Sequence, residues 1–146
     1  MRILIIDDDH DTALSLKNEF KKKSHSVSII SNFERALNWL KTSDENLDLI
    51  IFDFFINSIK GGNSINNEIL KSQYKNTPRI LFTKFKYIIP ILQKTDVKRA
   101  QKAEKYYNEI INSGVKHFDK ITDYENMSER IQGIVETAEK LVNSKK

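Results

Sequence analysis

The sequence predicts an α/β chain: a doubly wound, five-stranded parallel sheet with helices on both faces. Two observations predict it. Short apolar runs alternate five times with segments of helical period, the pattern of repeated strand–helix units. In one run, Leu49 to Phe52, every position is apolar rather than every second one, as a central strand covered on both faces requires. A half-exposed hairpin is excluded by the same run.

Each element follows in order. Arg2–Asp7 reads as the first strand, and a helix to about Lys22 follows with Ala13, Leu16 and Phe20 on one face. Ser26–Ile30 is the second strand. Ser31 and Glu34 have capping-box spacing for the second helix, whose buried face is Ala36, Leu37 and Leu40. Asp48–Phe54 is the third strand, Asn57–Asn63 a loop, and the third helix runs to about Tyr74. After Pro78 comes the fourth strand, Arg79–Thr83. Beyond it a helix places Val97, Ala100, Tyr107 and Ile111 towards the core. Tyr87–Leu92 fits either an exposed interaction patch or an extension of the core. Gly114 caps that helix and introduces the fifth strand, Val115–Phe118. Thr122 and Glu125 form a second capping box, and Met127, Ile131, Ile134, Val135, Ala138, Leu141 and Val142 stripe a long last helix.

Composition bounds the class. With 146 residues the chain reads as a single domain, residues 1–146, with a core of about 1–142. It has no cysteine, so neither a disulfide framework nor a thiolate metal site is available, which suits a reducing, cytoplasmic setting. No secretory leader and no apolar run of about 20 residues is present, so no membrane role is expected. A net charge of +4, with lysines concentrated at Lys21–Lys23 and from Lys94 to Lys105, is too modest to predict a nucleic-acid partner.

For a chain of this length the common solution is the flavodoxin-like strand order 2-1-3-4-5, whose ligands bind where the strands end at their carboxyl edges. The polar residues at those ends are Asp7, Asp8 and Asp9, then Asp53, Thr83 and Lys120. Acids gathered in one crevice repel one another and call for a cation, and Mg²⁺ suits oxygen ligands while leaving room for phosphate oxygens. An aspartate beside it would accept a phosphoryl group, Thr83 would donate a hydrogen bond to it, and Lys120 would neutralise it.

The stretches RILIIDDD, DLIIFDFFINSIKGG, ILFT and GVKHFDK resemble, in order and spacing, the landmarks of receiver domains from two-component response regulators, including stand-alone chemotaxis-type receivers. The resemblance implies the receiver fold with Asp53 as phosphoacceptor. It implies Mg²⁺ (or Mn²⁺) held by Asp7, Asp8, Asp53 and the backbone carbonyl of Phe55, with Asp8 the direct ligand. Thr83 matches the switch hydroxyl, Lys120 the family lysine, and Gly61 the glycine after the acceptor. The partners implied are a histidine kinase or phosphotransfer protein, and a downstream protein target on the face formed by the fourth helix, fifth strand and last helix.

The departures are specific. Asn57 stands where the family keeps a proline, and Ile121 stands where another follows the lysine, so a cis peptide there would be costly. Lys84 replaces a small residue. Thr83 and Lys120 are 37 positions apart, longer than the family's interval, which marks an enlarged connection between the fourth and fifth strands with an insertion at about 84–105. The fifth strand is one residue short, so the switch aromatic is either His117 or Phe118. His117 reads as a packed strand residue rather than a proton relay or phosphoacceptor, and Lys98, Arg99, Lys102 and Lys105 read as a solvated face or as a surface for an acidic partner.

The function expected is a single-domain receiver that accepts a phosphoryl group on Asp53 in a Mg²⁺-dependent phosphorelay and signals by protein binding. It is not an enzyme beyond self-phosphotransfer and autodephosphorylation. The alternative is a receiver-like interaction module that no longer switches by phosphorylation. A remote alternative is a haloacid-dehalogenase-like phosphatase, for which Asp7 and Asp9 supply Asp-x-Asp spacing but no late acidic pair follows.

Overall fold

The computed structural model describes residues 1–121 and 124–144. Eleven elements follow one another: β1 (Arg2–Ile6), α1 (His10–Lys22), β2 (Ser26–Ile30), α2 (Phe33–Thr42), β3 (Leu49–Phe52), α3 (Gly61–Lys71), β4 (Arg79–Thr83), α4 (Phe85–Thr95), α5 (Val97–Asn112), β5 (Lys116–Asp119) and α6 (Tyr124–Asn143). All neighbouring strands pair in parallel, in the order β2-β1-β3-β4-β5. This is the expected doubly wound sheet.

Alternation along the strands sends side chains into two cores. Ile3, Ile5, Leu49, Ile51, Ile80 and Phe82 meet α1 and α6 through Leu16, Phe20, Ile131 and Ile134. Leu4, Ile6, Ile50, Phe52 and Leu81 meet the helices of the opposite face through Leu40, Ile65, Ile69, Ala103 and Ile110. Every residue of β3 is buried, as its unbroken apolar run requires.

Several boundaries move for local reasons. The α2 cap is Asn32 rather than Ser31, its side chain accepting the Arg35 N–H at 2.9 Å. The third helix starts at Gly61 and ends at Lys71, short of Tyr74, whose side chain is buried and stacks on Trp39. The single helix expected after β4 is two, broken at Asp96, whose side chain caps α5 at the Arg99 N–H. Val97 is consequently the first residue of α5 and is 58% exposed, so it leaves the expected core face, which Ala100, Ala103 and Ile110 supply instead. Tyr87–Leu92 divides between the two sides of α4: Ile88, Ile89 and Leu92 are half-buried, with Ile89 and Leu92 extending the core, while Tyr87 and Ile91 face solvent. Gly114 follows α5 at φ +94°, a left-handed conformation that ends the helix before β5. The expected Thr122–Glu125 capping box lies outside the described residues.

Candidate phosphoacceptor site

The site residues stand just past the strand ends, and the sheet's own hydrogen bonds hold three of them. The Asp7 amide donates to Ile30 at the end of β2, the Asp53 amide to Ile6 at the end of β1, and the Lys120 amide to Thr83 at the end of β4 (3.2, 3.1 and 2.8 Å). Each is therefore fixed by the strand beside it.

Carboxylate oxygens of Asp7, Asp8 and Asp53 lie within 4.8 Å of one another, a spacing that one ion can bridge. Asp7 and Asp53 are buried and Asp8 is exposed. Lys120, 1% exposed, sends its ammonium between the buried pair, 2.8 Å from Asp7 Oδ2 and 2.9 Å from Asp53 Oδ2. The other Asp53 oxygen, Oδ1, accepts the amides of Phe54 at 2.7 Å and Phe55 at 3.4 Å. Asp53 Oδ2 is thus the oxygen left to meet a ligand, with a cation already beside it.

One ammonium does not balance two buried carboxylates. Burial, reinforced by the charge of Asp53, pushes the Asp7 carboxyl up to about 7 against the pull of Lys120. Lys120 moves upward as well, because burial is outweighed by the attraction of Asp53 and Asp7. The pocket retains an excess of negative charge that a divalent ion would neutralise, and an oxygen-only donor set fits Mg²⁺.

Asp9 belongs to the helix rather than to this cluster. It caps α1, accepting from the Thr12 hydroxyl at 2.6 Å and the Thr12 amide at 3.3 Å, and stays 3.8 Å from Lys120. Its carboxyl is lowered: burial opposes this and is outweighed by the two Thr12 bonds and by the charges of Lys120 and Lys84.

Thr83 closes β4 with its hydroxyl buried and without a hydrogen-bond partner, although a buried unpaired hydroxyl is unfavourable. Such a group is suited to an oxygen-rich ligand. The loop after Asp53 explains the missing proline. Asn57 has φ +69° and its amide donates to Asp8 Oδ2 at 3.3 Å; proline permits neither. Sequence reasoning named Gly61 and missed Gly62. A Cβ on Gly62 would lie 2.6 Å from the Asp53 carbonyl oxygen and from Phe54 Cα, so α3 starts directly against the backbone of Asp53 and Phe54. The adjacent glycines in GGN were the available signal.

Aromatic rings cluster in the core on one face of the sheet. Phe54 is buried, Phe55 half-buried, and Phe85, two residues after Thr83, stacks on Tyr107 of α5 with centroids 3.9 Å apart. The two switch candidates diverge. His117 faces Tyr107, whose hydroxyl is 3.0 Å from Nδ1, and its Nε2 is 3.1 Å from Asp119 Oδ1. Phe118 points to the opposite face and packs in the α1–α6 core.

No curated protein matches the chain by sequence. Among solved structures, it is similar to the receiver domain of Francisella response regulator 1452, with 22% identity, TM-score 0.66, and coverage of 99% of this chain and 98% of that one. It is also similar to a CheY-like receiver domain protein from Methanospirillum hungatei, with 19% identity, TM-score 0.62, and coverage of 95% and 96%. The response regulator TrrA of Thermotoga maritima, solved in complex with Mg(2+)-BeF, is 22% identical at TM-score 0.58 over 91% of this chain and 97% of that one. Residues 3–106 match the response regulator receiver domain family, a stretch that holds Asp7, Asp8, Asp53 and Thr83 and ends within α5. With that match over most of its length, and the five-stranded order that goes with it, the chain belongs to the response regulator receiver domain family.

Proposed function

We propose that this chain is a phosphorylatable receiver: Asp53 takes a phosphoryl group from a histidine kinase, a phosphotransfer protein or a small acyl phosphate, and the phosphorylated form binds a protein target. The observation that carries this is the convergence of Lys120, Asp7 and Asp8 on one carboxylate, Asp53. In the transfer, Asp53 Oδ2 attacks phosphorus, the bond from phosphorus to the donor nitrogen or oxygen breaks, and the donor departs with its electron pair. Asp7, Asp8, Asp53 and the Phe55 carbonyl would hold Mg²⁺, which supplies charge neutralisation for the incoming phosphoryl oxygens. Lys120 meets the new negative charge from its position 2.9 Å from Oδ2. The unpartnered Thr83 hydroxyl gains an acceptor.

The chain itself carries out phosphotransfer and autodephosphorylation and no other reaction, and it works in the cytoplasm, where its donors are found. Residues 1–146 act as one unit with 84–105 as its insertion. His117, on the same side of the sheet as Tyr107, takes the aromatic switch position. Labelling with acetyl phosphate, or binding of beryllofluoride, is expected to require Mg²⁺ and to be abolished in Asp53→Asn. Label retained in that variant would overturn the assignment.

A second reading, a receiver that no longer switches, is favoured by one observation: Asp53 is only 5% exposed and already paired. The same experiment separates them, because a silent receiver stays unlabelled as wild type.

A further inference from the structure

We infer that the outer side of α4 and the opening of α5 form a docking surface for an acidic, amphipathic segment of a partner protein. This rests on the reading that the chain signals by binding protein, and it gives that partner a chemistry. Among the described residues, five large apolar side chains are exposed, and three of them are here: Tyr87 (43%), Ile91 (61%) and Val97 (58%). Tyr87 and Ile91 are one turn apart on the same face of α4. They are not needed to hold the helix, which is anchored from its other side by Phe85, Ile89 and Leu92. An apolar stripe that its own fold does not use points to a partner.

The charge around the stripe selects the occupant. From Lys84 to Lys105 there are seven cationic and two acidic side chains, a net +5 against −1 for the rest of the chain. Lys86, Lys94, Lys98 and Lys102 are exposed, and among the described residues none has an ion-pair partner. A second copy of this chain would bring +5 against +5. A membrane surface calls for a broad apolar face, whereas α4 turns Phe85, Ile89 and Leu92 inward and leaves a narrow stripe outside. Duplex nucleic acid would meet the cations but gain nothing from Ile91 and Val97, the two most exposed members of the stripe. A helix presenting two apolar anchors at i and i+4 among glutamates satisfies both features.

The test uses a fluorescent peptide of about four turns, with leucines at i and i+4 and glutamate at most other positions, read by anisotropy against the unphosphorylated full chain. Binding is expected, weakening as salt rises, and it should fall about tenfold or more in Ile91→Ser and in the Lys94→Glu/Lys98→Glu double variant. Leu14→Ser, an exposed apolar change on α1, should leave it unchanged, and equal urea midpoints establish that the variants fold. Absence of binding, equal binding by the variants, or tighter binding to phosphatidylglycerol vesicles or duplex DNA would each overturn the inference. Asp53→Asn should bind the peptide like wild type, so loss of acetyl phosphate labelling and loss of peptide binding report separately on the receiver reading and on this surface.

Discussion

Lys120 is the side chain on which the pocket's balance depends, because its ammonium is the charge placed directly between Asp7 and Asp53. Lys120→Met leaves two buried carboxylates facing each other, and a loss of about 3 kcal/mol or more is expected by urea denaturation, partly recovered on adding Mg²⁺. Thr83→Val should act in the opposite sense: it removes a buried hydroxyl with no partner, so stability is expected to rise by about 1 kcal/mol. Phosphoryl-dependent switching should nevertheless be impaired, since the hydroxyl is the group that would meet the phosphate. Tyr107 gives a pH signature away from the carboxylates. Burial, together with the charge of Asp119, pushes its phenol up to about 12 from an ordinary value near 10. The raised value favours the protonated form, so its stabilising contribution is full below pH 10 and is lost as pH rises towards 12. Ultraviolet titration of the folded protein should show a late phenol that disappears in Tyr107→Phe.

The α3 helix is fastened at its start and at its middle, and each fastening has a measurable consequence. At its start, Gly62 donates its amide to the Phe54 carbonyl at 2.8 Å and leaves no room for a side chain. Gly62→Ala forces the helix off the loop that follows Asp53, with an expected loss of about 2 kcal/mol and slower acetyl phosphate labelling. Further along, Asn66 meets the buried guanidinium of Arg79, which also donates to the Ser113 hydroxyl at 3.0 Å and the Ser113 carbonyl at 2.8 Å. Among the described residues this cation has no carboxylate partner; the acceptors named are neutral, and one is the carbonyl capping α5, where the helix dipole favours positive charge. Arg79→Met should cost about 2 kcal/mol by urea denaturation while leaving labelling by acetyl phosphate intact, because the cluster lies at the opposite edge of the sheet. None of this was legible beforehand. Arg79 reads as an ordinary strand-opening residue, and Asp96 hid the division between α4 and α5 because one side chain caps α5 where α4 ends.

The sheet order and the gathering of Asp7, Asp53, Thr83 and Lys120 could be read from the chain because they follow from strand patterning and from where strands stop. What could not be read depends on contacts between distant segments. Lys120 as an internal counterion, the left-handed backbone of Asn57 and the turn of His117 towards Tyr107 all arise only when the loops meet. The amide bonds that fix Asp7, Asp53 and Lys120 to the neighbouring strands extend this point. Those anchors come from β2, β1 and β4, so the pocket draws on nearly the entire chain and no early fragment contains it. A nascent chain still lacking β5 has no Lys120 in place and should be inert towards acetyl phosphate. Phosphoryl uptake should therefore require the completed fold, and in rising urea it should vanish in step with the far-ultraviolet circular dichroism.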